Sequence, residues 1–92
     1  MKQESAETLA LRALGWLAAD PEAMQGFLGT TGASPADLPV LAGDTAFLGA
    51  VLDYILAEDS RVIAFCDAEG LPYTVPLQAR QLLAGGAAWH WT

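Results

Sequence analysis

The chain has 92 residues, of which 53% are hydrophobic and only 16% charged, with a formal net charge of −7. That length fits one domain, and that composition excludes a disordered chain. The 11 acids outnumber four basic residues, and Lys2, Arg12, Arg61 and Arg80 are too few and too scattered to displace counterions from a nucleic acid or to hold an anionic membrane.

The order of helix signals predicts six short helices. The first is expected from Ser5, a good N-cap residue, to Ala19, since the strong helix formers Ala and Leu dominate the stretch. Asp20-Pro21 reads as the cap and first residue of a second helix, with Glu22 on the favourable side of its dipole. Met24, Phe27 and Leu28 form its apolar face, and Gly32 is a left-handed stop beyond Thr30. Ser34-Pro35-Ala36-Asp37 has the form of a capping box and opens a short third helix that Gly43 closes. Asp44 caps a fourth helix to Ala57, whose Phe47, Leu48, Val51, Leu52 and Ile55 recur at helical period. Asp59 is expected to cap a fifth helix that ends at Gly70. Leu71 to Val75 then forms a loop, and Pro76 begins a sixth helix that ends near Ala84.

A displacement of 38 residues aligns the chain with itself without a gap, giving four identities over the 19 positions from Leu14 to Gly32. About one would be expected by chance from such a composition. Leu14 meets Leu52, Trp16 meets Tyr54, Leu17 meets Ile55, Asp20 meets Glu58, Phe27 meets Phe65 and Gly32 meets Gly70. The expected architecture is a single all-α domain of two pseudo-symmetric three-helix halves, residues 5–42 and 43–84, followed by a Gly/Trp tail over 85–92. The first and fourth helices, apolar over most of their girth, are expected to pack together at the centre, with the other four flanking them.

The chain resembles a family of short, acidic, uncharacterised proteins from alphaproteobacteria, domain of unknown function 3572. The likeness rests on Ala6 to Ala19 with Asp20-Pro21-Glu22, on Phe47 to Leu56, and on Phe65-Cys66 with Glu69-Gly70-Leu71-Pro72. It covers residues 5 to 83. The resemblance implies a helical fold and carries no activity or functional residue to this chain.

Candidate sites are few. His90 and Cys66 could give two ligands to a metal, but their spacing has no register for one, and His90 reads as a solvated tail residue. Cys66 falls mid-helix opposite Leu28 in the repeat, so it reads as core and not as a nucleophile. Asp53 interrupts an apolar run; it is either a functional carboxylate or part of one exposed strip, as its counterpart Gly15 suggests. Glu58, Asp59, Asp67 and Glu69 lack the alternation of a calcium loop. Trp89 and Trp91 form either a sticky anchor for a partner or a fold-back cap on the core.

Two functions follow as expectations. The first is a protein-interaction or adaptor module, most simply by self-association through the exposed remainder of the first helix or the tail with Trp89 and Trp91, or with another protein partner, and with no nucleic acid, membrane or cofactor involved. The second is a small-molecule binder or minor enzyme with a cleft between the halves, where Asp53, Tyr54, Arg61 and Tyr73 would meet. DNA binding by a helix–turn–helix pair would need a basic face. With no export signal and one cysteine, the expected location is the cytoplasm.

Overall fold

The structure, a computed structural model, describes residues 1–83. The tail with Trp89, His90 and Trp91 lies outside the described residues. The elements are α1 (Gln3–Ala18), α2 (Pro21–Thr31), a single 3-10 turn (Pro35–Asp37) running into α3 (Leu38–Leu41), α4 (Thr45–Leu56), α5 (Asp59–Glu69) and α6 (Val75–Leu82). The architecture is an all-α bundle, with no strand among the described residues.

Local chemistry sets most of the boundaries. The Asp20 carboxylate accepts from the amides of Glu22 (3.1 Å) and Ala23 (3.3 Å), and Pro21 follows as the first helical residue. Asp44 caps α4 through the Ala46 amide at 2.9 Å. Asp37 takes both the backbone N–H (3.4 Å) and the hydroxyl (3.0 Å) of Ser34, the reach-back arm of the capping box. Gly32 and Gly70 end α2 and α5 at φ of 74° and 69°, a conformation that costs any other residue its Cβ clearance.

Three expected boundaries move. α1 starts at Gln3, so Ser5 lies within its first turn; the N-cap is Lys2, which makes no side-chain cap bond. Asp59 is the first residue of α5 and not its cap. The cap position belongs to Glu58, whose carboxylate turns to Arg61 at 3.0 Å instead of to the helix amides. α6 begins one residue before Pro76, a position where the missing amide costs nothing.

The core is built on α1, α4 and α6. α1 buries Ala6, Leu9, Ala10, Ala13, Leu14 and Leu17, a stripe whose alanines let another helix approach closely. α4 buries Phe47, Leu48, Val51, Leu52 and Ile55 and also Gly49 and Ala50, so it is enclosed on more than one side. α1 and α4 pack together as the sequence suggests. α6 flanks this pair as expected and packs against both helices, with Pro76, Ala79 and the following Leu83 buried and Leu77 on its outer face exposed. α3, its counterpart by position, buries no residue fully, and Val40 on it is 80% exposed. The two halves therefore diverge at their third helices.

Among the described residues no single helix is long and apolar enough to cross a membrane. The Pro35–Leu41 and Thr45–Leu56 segments reach that length only when taken together, and they are bent by 118°.

Candidate functional site

Near the two hairpin turns, α1–α2 and α4–α5, aromatic residues of one hairpin meet those of the other. Trp16, in the last turn of α1, meets Phe65 of α5 edge-on, with ring centroids 5.7 Å apart and planes at 64°. Tyr54, in the last turn of α4, meets Phe27 of α2 in the same way, at 5.4 Å and 69°. Each half thus sends the ring of its first helix onto the phenylalanine of the other half's second helix. Phe27 and Phe65 are both fully buried, and Phe27 also meets Phe47 at 5.6 Å.

Beside these contacts lies an open hollow of about 240 Å³, lined by Trp16, Leu17, Asp20, Glu22, Ala23, Tyr54 and Arg61. The Arg61 guanidinium lies over the Tyr54 ring, 3.9 Å from its centroid. Its Nη1 donates to the Tyr54 carbonyl at 2.9 Å, and its Nη2 pairs with Glu58 at 3.0 Å. A cation over a tyrosine face, held by a carboxylate and a carbonyl, uses its charge, its planar face and its donors at once. The Tyr54 hydroxyl crosses α2 at Gly26, where a Cβ would stand 2.6 Å from it.

Tyr54 and Arg61 are therefore brought together, as the cleft expectation requires. Asp53 is turned to α6, where Arg80 Nε pairs with its Oδ1 at 2.6 Å and Arg80 Nη1 donates to the Leu83 carbonyl at 3.3 Å. Tyr73 donates to Asp67 at 2.7 Å beyond the end of α5. That hydrogen bond to a carboxylate, with some desolvation, raises the phenol pKa. The four cleft candidates do not converge on one site.

Cys66 is fully buried in α5, with its thiol 3.6 Å from the Pro72 carbonyl. Loss of water around it, and then the charge of Asp67, push the thiol pKa up, opposite to what a nucleophile needs. Among the described residues no group of three or more His, Cys, Asp and Glu side chains could hold a metal ion.

Sequence reasoning passed over Trp16, Asp20, Glu22 and Ala23 as site residues, although the 38-residue alignment already set Trp16 against Tyr54 and Ala23 against Arg61. Arg80 carried no signal, because nothing local marks which arginine will reach another helix.

By its fold the protein is a small all-α bundle of two helical hairpins, with a sixth helix packed against the first and fourth. It belongs to the family described as protein of unknown function (DUF3572), whose sequence model matches residues 3–86, nearly the whole chain. No curated protein and no solved structure matches it.

Proposed function

We propose that this chain is a small protein-interaction module that docks a partner at the hollow between its hairpin turns. The observation that carries the proposal is the hollow itself: about 240 Å³, open to solvent and walled by one ring from each hairpin, Trp16 and Tyr54, with Asp20 and Glu22 of the first and Arg61 of the second. Pockets that enclose small molecules run to roughly 300–1,000 Å³. This one suits one or two side chains of a larger partner. The net charge of −7 favours a basic partner.

A small-molecule site in the same hollow is the second reading, supported by the convergence of Tyr54 and Arg61 there. The test is affinity capture with the full chain, with Ala23→Trp, which fills the hollow, and with Leu77→Gln as a surface control, each sized by light scattering. A partner held by the first and third baits and lost by Ala23→Trp is the expected result. A partner indifferent to Ala23→Trp but lost when the chain ends at Gly86 would transfer docking to Trp89 and Trp91. No partner, together with a metabolite that protects the wild type but not Ala23→Trp from thermal unfolding, would establish the second reading instead.

A further inference from the structure

The second half supplies a template for what the hollow accepts, on the partly exposed wall formed by Tyr54 and Arg61. In that half, the Tyr54 ring carries a guanidinium 3.9 Å from its centroid, and that guanidinium is held by the Glu58 carboxylate at 3.0 Å and the Tyr54 carbonyl at 2.9 Å. Displaced by 38 residues, the same positions in the first half are Trp16 for Tyr54, Asp20 for Glu58 and Ala23 for Arg61. The ring, the carboxylate and the backbone carbonyl have counterparts, but the guanidinium does not. Arg61 and Ala23 occupy the same register, the third residue of α5 (Asp59–Glu69) and of α2 (Pro21–Thr31). The hollow is lined by those very residues, Trp16, Asp20 and Ala23.

We infer that the hollow is a vacant guanidinium site that takes an arginine side chain from a basic segment of the partner, stacked on Trp16 and paired with Asp20. The inference rests on the interaction reading and names the chemistry of its anchor.

The electrostatics agree. Asp20 and Glu22 both line the hollow, whereas Arg61, its only cation, is already paired with Glu58. Asp20 uses Oδ1 to cap α2, and Oδ2 accepts no hydrogen bond among the described residues, so a guanidinium can pair there without uncapping the helix. The indole face is the strongest side-chain surface for a cation, and the planar guanidinium both stacks and donates, which an ammonium does not.

The test uses the full 15N-labelled chain, with N-acetyl-arginine amide as the probe and the citrulline and lysine amides as its neutral and ammonium comparisons. The arginine amide should move the Trp16 indole N–H and the Ala23 amide resonances saturably, at millimolar concentration. The citrulline amide should leave them in place. Ala23→Arg supplies the guanidinium from within the chain and should abolish the response. Asp20→Asn keeps the helix cap but removes the charge, and should weaken binding about five- to tenfold, so the inference stays testable if Ala23→Arg does not fold. A citrulline or lysine response as strong as that of arginine would overturn the assignment, as would silence at tens of millimolar. If the partner is still lost by Ala23→Trp while the arginine probe is silent, the interaction module stands and the guanidinium site does not.

Discussion

The α1–α2 and α4–α5 hairpins have the same register, yet the helices that follow them have different fates. α2 (Pro21–Thr31) and α5 (Asp59–Glu69) are displaced by 38 residues at both ends, and each stops at a left-handed glycine. The buried residues Leu9, Ala10, Ala13, Leu14 and Leu17 of α1 recur as Phe47, Leu48, Val51, Leu52 and Ile55 of α4. The third helices then diverge. α6 buries Pro76 and Ala79 between α1 and α4, while α3 is four residues long and stays at the surface. A single core can admit one more helix against both central helices, and the longer α6 takes that place. The 38-residue register thus holds over the two hairpins and ends at the helices that follow them.

Removing a hairpin phenylalanine should have the largest effect. Phe27→Ala and Phe65→Ala each empty a fully buried position and should cost about 3–5 kcal/mol, close to the whole stability of a domain this size. Phe27 meets two rings and Phe65 one, so Phe27→Ala should cost more. Urea unfolding followed by circular dichroism measures both; a clearly costlier Phe65→Ala would contradict the packing.

Two ion pairs that tie helices together rank next. Arg80→Ala severs α6 from Asp53 and should cost about 1–2 kcal/mol, since the arginine side chain is only 17% exposed. Arg12→Ala, which breaks the more exposed pair with Glu69 between α1 and α5, should cost under about 1 kcal/mol. Equal losses in the same unfolding experiment would mean that the lower exposure of Arg80 does not strengthen its pair with Asp53.

Two helical glycines sharpen the comparison at the site. Gly15→Ala meets nothing within 4 Å and should stabilise by about 0.5–1 kcal/mol. Gly26→Ala places its Cβ 2.6 Å from the Tyr54 hydroxyl and should forfeit that gain as the ring shifts. Stabilisation of the same size in both, read from thermal midpoints, would mean that Tyr54 does not cross α2 at Gly26.

The smallest effect concerns pH. The Cys66 thiol has a raised pKa in the folded chain, so its contribution to stability is full below the ordinary thiol value of 9.0 and is lost as pH climbs through the folded value. The urea midpoint should fall between pH 8 and pH 10, and Cys66→Ala should flatten part of that slope. A slope unchanged by Cys66→Ala would assign the titration to other groups, with Tyr73, raised by its bond to Asp67, as the first to examine.

Much of the fold was legible because its signals are local. Asp20-Pro21, Ser34 to Asp37, Asp44, Gly32 and Gly70 each act within one turn of backbone, and the structure uses each as its chemistry suggests. Ser5 and Asp59 misled because several residues near a helix start can serve as its cap, and tertiary partners decide among them: Glu58 spends its carboxylate on Arg61. Of the candidate site, Tyr54 and Arg61 were foreseen and do meet, whereas Asp53 and Tyr73 were drawn to Arg80 and Asp67. Trp89 and Trp91 lie outside the described residues.

By itself, the sequence determined the helical class, the turns and the registers of the hairpins, because helix periodicity and capping depend on neighbours within a few residues. Only the tertiary structure decided that α6 packs on both α1 and α4 while α3 leans on the core only through the partly buried Leu38 and Leu41, that Arg80 reaches back 27 residues to Asp53, and that Trp16 and Tyr54 each cross to the other hairpin. Those outcomes turn on which surfaces compete for one small interior and which charges come within reach once it closes, and neither is encoded at any single position of the chain.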